Sequence, residues 1–290
     1  MWTKNGEKTL PFVLKRISQV IPNEFVNKQV ITDDKSTDAT VEIAKSFGWN
    51  VVSNEGTGIS DGANTALKRV ASEYFISFEQ DLLLAPEWWE KIPPYFHDNQ
   101  VAAASGMRFA DKPRGVKKLQ QYVAKKYRGE SNLASWLRSR QMAAFTLGKT
   151  LDNTIYKTAV IRAIDGFPKM QVNAGVDATL AYKLKQSGYM WVVDYNVQST
   201  HMRRGLGQEL QHQYWYGTQQ YEIWRKIKEY TDRPPPITES GVMYRFLISP
   251  FTGVFVAFKT REPTITYIHP LIKFYSLKGL LEAAKFENKQ

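Results

Sequence analysis

The chain has 290 residues, 43% of them hydrophobic, which is enough for one large core or for a core with an appended segment. Lys and Arg number 39 against 28 Asp and Glu, so the net charge of +11 favours an anionic partner: a nucleotide, a nucleic acid or an acidic membrane surface. The absence of Cys excludes disulfides and thiolate-bound metals. Because the four His residues show no metal-binding spacing, a metal would need mainly oxygen ligands, which favours Mg²⁺ or Mn²⁺.

Short strands alternate with amphipathic helices in the first half of the chain. A first helix buries Leu10, Val13, Leu14 and Ile17. The predicted strands are 29–32, 50–53 and 74–78. Between them, Ser36 or Thr37 caps a second helix that Gly48 ends, and a third helix carries Ala63, Leu67, Val70 and Ala71. This alternation indicates an open, mostly parallel α/β sheet.

The second part of the chain is less regular. The regular pattern loosens after 101–105 and returns at 152–156. A strand is predicted at 189–193, and the predicted helices are 115–128, 131–141, one from Thr158, and 175–186. An aromatic amphipathic segment spans 206–230, and three prolines at 234–236 form a stiff linker. We therefore predict a catalytic domain at 1–233 and a helical, apolar and basic extension at 234–290.

No apolar run is long enough to predict a membrane-spanning helix. The nearest candidate, 246–258, is short and contains Pro250 and Gly253. The first residues do not resemble a signal peptide. We expect a cytoplasmic protein, free or attached to a membrane surface.

Acidic residues follow three of the predicted elements, where α/β sheets bind their ligands. They lie in the segment 33–38, in Glu79-Gln80-Asp81 and at Asp177. Acids after a buried strand are costly unless they bind something. A Gly-rich loop at 54–64 could approach a phosphate or a sugar closely.

Each of these features also has a purely structural interpretation. Ser36 and Asp38 could cap a helix, and the glycines of the loop could form a tight turn. Glu79 and Asp81 could pair with surface lysines. Asp177 alone would be an ordinary aspartate in the first turn of a helix.

Taken in order, these stretches resemble the family 2 glycosyltransferases with the GT-A fold, over about residues 1–217. The matching motifs are "DDxSTDxT" at 33–40, "G…G…N…A" at 58–66, the DXD motif at 79–81, "GGF" at 165–167, "GED" at 175–177 and a histidine at His201. Two positions depart from the family pattern: Glu79 replaces the first aspartate of DXD, and Val176 replaces the glutamate of "GED".

The resemblance implies an inverting transferase that uses a UDP- or GDP-sugar with Mn²⁺ or Mg²⁺. It assigns Asp81 and His201 to the metal and Asp177 to the role of base. The residues that it assigns to the nucleotide-sugar are Trp2, Thr3, Asp33, Asp34, Gly58, Asp61 and Glu79. The family's first strand is retained only in its last residues, so we expect that the natural start lies upstream or that another segment fills its place.

The acceptor is less well defined by the sequence. The segment 206–230 could bind it or could pack against the catalytic domain. Residues 241–286 mix aromatic and basic side chains, which suits attachment to an anionic bilayer and a glycan or lipid-linked acceptor. A helical subdomain or a dimer contact is the alternative for that segment.

Three other functions compete with the transferase. A nucleic-acid-binding protein would explain the charge but not the acids at the strand ends, so no nucleic acid is expected. A nucleotidyltransferase would need a basic Gly-rich loop after the first strand, and residues 4–8 match one poorly. A catalytically inactive scaffold is compatible with Val176.

Overall fold

The computed structural model describes residues 1–128, 146–202, 205–231 and 239–287. The predicted helix 131–141 and the prolines 234–236 lie outside these residues. The chain forms two compact units, one of Met1–Arg108 with Gly148–Met202 and the other of Phe109–Leu147 with Arg203–Gln290.

The structure confirms the alternation of strands and helices in the first third of the chain. The strands are β1 (Trp2–Thr3), β2 (Val30–Asp33), β3 (Asn50–Ser53), β4 (Tyr74–Ser77), β5 (Leu82–Leu83), β6 (Val101–Ala110), β7 (Thr154–Lys157) and β8 (Met190–His201). The α-helices are α1 (Leu10–Val20), α2 (Thr40–Ser46), α3 (Gly58–Leu67), α4 (Trp88–Lys91), α5 (Arg114–Arg128), α6 (Thr158–Ala163), α7 (Val176–Gln186), α8 (Gly205–Thr218), α9 (Gln220–Ile227), α10 (Glu239–Leu247), α11 (Ser249–Thr260) and α12 (Ile265–Glu287).

The strands form two sheets. The first has the order β1-β2-β3 and is parallel, with Trp2 opposite Thr32 and Val30 opposite Asn50. The second has the order β4-β7-β6-β8-β5. Its neighbouring strands β4 and β7, β6 and β7, and β5 and β8 pair antiparallel. The expected parallel arrangement therefore holds in the first sheet. It fails for these three pairs of the second sheet, because the regular strand–helix alternation that predicts parallel pairing ends after β4.

The core of the first unit gathers around α1, α4 and the sheets. Its largest fully buried side chains include Leu10, Leu14, Trp88 and Tyr156. A cavity of about 350 Å³ is lined by residues of β1, β2 and β4, among them Trp2, Val30 and Phe75. β1 itself is two residues long, in agreement with the short first strand that the sequence predicts.

Several predicted boundaries were wrong. β6 and β8 continue well beyond 105 and 193, and α3 starts at Gly58 and ends before Val70. Neither Ser36 nor Thr37 caps α2. The carboxylate of Asp38 instead accepts the backbone N–H of Thr40 at 3.0 Å, because the chain enters the helix later than the pattern indicates.

The second unit is helical in its described part. Helices α5, α8, α10 and α11 all pack against α12. The boundary between the compact units does not coincide with the predicted domain boundary at 233/234, because α5 and α8 share a buried cluster with α11 and α12 that includes Val116, Leu210 and Ile268.

Among the described residues, no single helix is long and apolar enough to cross a membrane. Two consecutive helical segments are together long and apolar enough, but they are bent by 52° relative to each other: Ser240–Leu247 and Ser249–Thr260.

Candidate active site

Glu79, Asp81 and His201 form a cluster at the edge of the second sheet. The two acids lie between β4 and β5, and β5 pairs with the end of β8 so that Leu82 is opposite His201. This pairing brings His201 Nε2 to 3.5 Å from Asp81 Oδ2. One ligand atom from each of the three residues lies within 4.8 Å of the others. The structure thus brings together Asp81 and His201, which the resemblance assigns to the metal, and Glu79, which it assigns to the nucleotide-sugar.

Glu79 lies in a crowded electrostatic environment. Arg108 Nη1 is 3.3 Å from Glu79 Oε2. Burial, which is the largest effect, and the charges of Asp152, Asp81 and Asp177 together raise the pKa of Glu79 to about 8, against the opposing charge of Arg108. A group with this pKa takes up or releases a proton easily near neutral pH when no cation is present.

Asp177 occupies the first turn of α7. Gly175 precedes the helix with φ +79, a left-handed conformation that glycine adopts without steric cost. The Asp177 carboxylate accepts the N–H of Ala178 at 2.8 Å. Burial raises its pKa, and Arg108 and the Ala178 N–H lower it. Asp177 therefore belongs to the same group of interacting charges as Glu79.

The segment 33–38 is hydrogen-bonded to the loop after β1. Asn5 N–H donates to Ser36 Oγ, and Thr37 N–H donates to Asn5 Oδ1, both at 2.9 Å. Asp33 accepts the N–H of Ser36 at 3.0 Å, so its carboxylate supports this turn. The motif that resembles "DDxSTDxT" is thus partly structural, although Ser36 supports a loop rather than capping a helix.

Asp34 is buried and supports the Gly-rich loop. Its carboxylate accepts the N–H of Gly58 and the side-chain amide of Asn54, both at 3.3 Å, and lies 3.6 Å from Lys4 Nζ. Gly58 has φ +73, and a Cβ atom there would lie 2.0 Å from Asn173 Oδ1. Glycine at position 58 therefore lets the loop approach the segment before α7.

Trp2 and Thr3 are held in place by neighbouring loops. Trp2 packs so closely on α3 that a Cβ atom at Gly62 would lie 2.0 Å from its indole ring. Thr3 Oγ1 donates to the side chain of Gln80, which also accepts the N–H of Lys4 at 2.9 Å. Gln80, the middle residue of the DXD-like motif, thus ties the end of β1 to the acidic cluster.

Asp61 turns back onto its own loop, where it accepts the N–H of Thr57 at 3.0 Å. Asn64 forms a two-way clamp on the turn that resembles "GGF". Its amide donates to Phe167 O and accepts from Phe167 N–H, both at 2.9 Å. Motifs that are distant in sequence are therefore in contact.

Sequence reasoning missed Arg108 and Asp152. Arg108 interrupts the otherwise uncharged strand β6, and a lone charge in a buried strand was a usable signal. Asp152 is fully buried, and its Oδ2 lies 3.0 Å from Arg108 Nη1. Its sequence context contained no comparable signal, because the partner is 44 residues away.

The family model for Glycosyl transferase family 2 matches residues 1–163. No curated protein matches the sequence.

Solved structures share the fold at low sequence identity. Mannosyltransferase PcManGT from Pyrobaculum calidifontis, in complex with GDP-Man and Mn²⁺, is 18% identical over 97% of this chain and 86% of its own, with a TM-score of 0.64. Glucosyl-3-phosphoglycerate synthase from Mycobacterium tuberculosis, with Mn²⁺, UDP and glucosyl-3-phosphoglycerate, is 16% identical over 82% of this chain and 80% of its own, with a TM-score of 0.55. S. aureus TarS 1-349, with UDP-GlcNAc, is 14% identical over 100% and 90%, with a TM-score of 0.53.

These likenesses agree with the motifs and with the mixed α/β architecture, and they confirm the GT-A fold class. The family model covers more than half of the chain. The protein therefore belongs to glycosyl transferase family 2 and is a glycosyltransferase with the GT-A fold.

Proposed function

We propose that the protein transfers a sugar from a UDP- or GDP-sugar to an acceptor hydroxyl, with inversion at the anomeric carbon. The observation that carries this proposal is the convergence of Glu79, Asp81 and His201 on one point, with Asp177 in the same electrostatic cluster. The ligands of the similar structures, GDP-Man, UDP and UDP-GlcNAc, support a nucleotide-sugar donor.

The cluster suits a divalent cation. Two carboxylates and an imidazole lie within reach of one ion, with Asp81 and His201 as proposed ligands and Glu79 as an additional one. Because Mg²⁺ prefers oxygen ligands almost exclusively, the imidazole makes Mn²⁺ the favoured ion. A bound cation would supply positive charge that stabilises the departing diphosphate.

The nucleotide would bind beside β1 and β2. Trp2 and Thr3 would border the base, and Asp34, with Asp33 next to it, would hold the base or the ribose. Gly58 and Asp61 would shape the loop that closes on the nucleotide. The hydrogen bonds of Asp34 to this loop support the assignment, because they couple the loop's position to the end of β2.

Asp177 would act as the general base. It would accept the proton of the acceptor hydroxyl as that oxygen attacks the anomeric carbon and the bond from that carbon to the diphosphate oxygen breaks. A single displacement of this kind inverts the configuration. The partly buried position of Asp177 raises its pKa and thus its basicity, while Arg108 favours the ionised form that is needed to accept a proton.

We also propose that the enzyme works at an anionic membrane surface, on a glycan or lipid-linked acceptor. Helix α11 exposes four large apolar side chains at helical spacing, Phe251, Val254, Phe255 and Phe258, with exposed fractions between 53% and 80%. Residues 240–281 contain five Lys or Arg and one acid, Glu262, which is buried and paired with Arg114. An exposed apolar helix face in a segment rich in basic residues matches an anionic lipid surface.

The proposed reaction is tested by calorimetric titration of UDP, GDP and their sugars, with and without Mn²⁺. We expect the wild type to bind one nucleotide in a metal-dependent way and Asp81→Ala to lose this binding. Asp177→Asn should still bind but transfer sugar about 10²–10⁴-fold more slowly. Asp98→Ala, which removes an exposed acid, is the matched control and should behave as the wild type.

Two results would contradict the proposal. If no nucleotide bound with any metal, the donor class would be wrong, and salt-sensitive binding of oligonucleotides would then favour the nucleic-acid alternative. If Asp177→Asn kept its full rate, Asp177 would not be the base. Turnover that Asp177→Asn abolishes would exclude the inactive scaffold.

A further inference from the structure

Arg108 joins two acids that have different surroundings. Its Nη1 atom lies 3.3 Å from Glu79 Oε2 and 3.0 Å from Asp152 Oδ2. The side chains of Arg108 and Glu79 are 26% and 30% exposed, whereas the side chain of Asp152 is fully buried. One guanidinium therefore connects the candidate metal cluster with a carboxylate that solvent does not reach.

The backbone around Asp152 is held firmly. Its carbonyl oxygen accepts hydrogen bonds from Thr150 Oγ1 at 3.1 Å and from Thr154 Oγ1 at 3.0 Å. The next residue, Asn153, adopts φ +60, and its carbonyl accepts the indole N–H of Trp88 at 3.2 Å. Asp152 thus projects from a fixed turn at the start of β7.

A buried carboxylate with this single ion pair needs a reason. Burying a charge costs free energy, and an ion pair often fails to recover that cost. Asp152 Oδ1 has no hydrogen-bond partner among the described residues, so only the hydrogen bond from Arg108 to Oδ2 offsets the cost. The contact of its carboxylate with Arg108 therefore suggests that Asp152 is buried there to act on Arg108.

We propose that Asp152 is a positioning residue that fixes the Arg108 guanidinium, so that Arg108 orients the Glu79 carboxylate toward Asp81 and offsets the repulsion among the acids of the cluster. This inference rests on the proposed metal site. Asp152 acts through Arg108 and does not touch the metal or the donor. Partners of this kind, one step removed from a metal, typically change metal affinity about 10–100-fold when they are replaced.

The test is a double-mutant cycle on Mn²⁺ affinity, measured by calorimetry without donor or acceptor. We expect Asp152→Asn to weaken Mn²⁺ binding about tenfold in the wild-type background. In the Arg108→Gln background the same substitution should change the affinity less than about twofold, because the residue through which Asp152 acts is gone. Asp194→Asn, which replaces another acid of the same unit, is the control and should leave Mn²⁺ binding unchanged.

Equal losses in both backgrounds would overturn the inference, because they would show that Asp152 acts only through its charge. Unchanged Mn²⁺ affinity in Asp152→Asn would overturn it as well. If Arg108→Gln does not fold, Arg108→Met serves in its place, since it also removes the guanidinium that contacts both carboxylates. A wild type that binds no Mn²⁺ would contradict the proposed metal site itself, which separates the two failures.

Discussion

Glu79 lies where burial and neighbouring negative charges oppose the ionisation of its carboxyl group. Its carboxylate is partly buried among Asp81, Asp152 and Asp177, with Arg108 as the opposing charge. Without a cation, the fold therefore keeps a proton on Glu79 up to a pH near 8. A divalent ion would replace that proton, since metal ligands must be deprotonated.

This leads to a prediction on pH and stability in the metal-free protein. The folded-state pKa of Glu79 is raised to about 8 from an ordinary value of 4.5, so the native state holds a proton that the unfolded state releases. The free energy of unfolding should therefore fall as the pH rises from about 5 to 8, where Glu79 must ionise inside the fold. Urea unfolding across this range measures the slope.

Glu79→Gln provides the control for that prediction, because the amide has a similar shape and no titration. Its slope between pH 5 and 8 should be smaller than that of the wild type, and saturating Mn²⁺ should flatten the wild-type slope in the same way. An identical slope in the two metal-free proteins would show that other groups control the pH dependence.

Some residues of the candidate site could be identified from the sequence, and others could not. The resemblance assigned Asp81 and His201 to the metal and Glu79 to the nucleotide-sugar, and the structure brings the three together. Arg108 and Asp152 were missed. Their roles depend on a contact between β6 and the turn before β7, and no spacing along the chain encodes that contact.

At the scale of elements, loops that look independent in sequence hold one another. Gln80 fastens the end of β1, and Asn64 fastens the turn at 166–167. Hydrogen bonds of this kind explain why a motif can contain residues that do no chemistry. Thus Asp33 and Asp38 support loops, and they leave Asp34 as the buried acid of the motif.

Helices α8 and α12 approach each other through a pair of glycines. A Cβ atom at Gly279 would lie 2.1 Å from Tyr214 O and 3.1 Å from Gly217 Cα, so no side chain fits without a shift of the backbone. We predict that Gly279→Ala lowers the free energy of unfolding by about 1–3 kcal/mol, the usual effect of overpacking. Thermal or urea unfolding measures it.

Gly207→Ala is the matched control, because Gly207 lies in α8 and a Cβ atom there meets nothing within 4 Å. Alanine has the higher helix propensity, so this variant should be neutral or up to about 1 kcal/mol more stable. Equal stabilities of Gly279→Ala and the wild type would show that the crossing tolerates a side chain.

At the scale of the whole molecule, polar chemistry and apolar exposure belong to different parts of the chain. The acidic cluster lies in the first unit, and helices α10 and α11 of the second unit expose Tyr244, Leu247, Phe251 and Phe258. The surplus of 11 positive charges in the sequence contrasts with the acids of the site. These features agree with the proposal of a cation-dependent donor site in an enzyme that attaches to an anionic membrane surface.

We predict that the protein floats with phosphatidylglycerol-containing vesicles, and less with pure phosphatidylcholine, because apolar insertion and charge attraction act together. The double variant Phe251→Ser/Phe258→Ser should lose this binding, and salt should weaken it in the wild type. Phe12→Ser is the control: Phe12 is also exposed, at 55%, but lies on α1 of the other unit. Equal flotation of all variants, or none, would contradict the membrane proposal.

The fold class, the family resemblance and the acids near the strand ends could be predicted from the sequence, because helical and strand periodicities and short motifs are local properties of the chain. Only the tertiary structure decided that the second sheet contains antiparallel pairs, that α5 and α8 pack with the C-terminal helices, and that Arg108 links Glu79 to Asp152. Such arrangements depend on which surfaces bury one another and which charges meet across distant segments. Those are properties of the folded chain rather than of any stretch of its sequence.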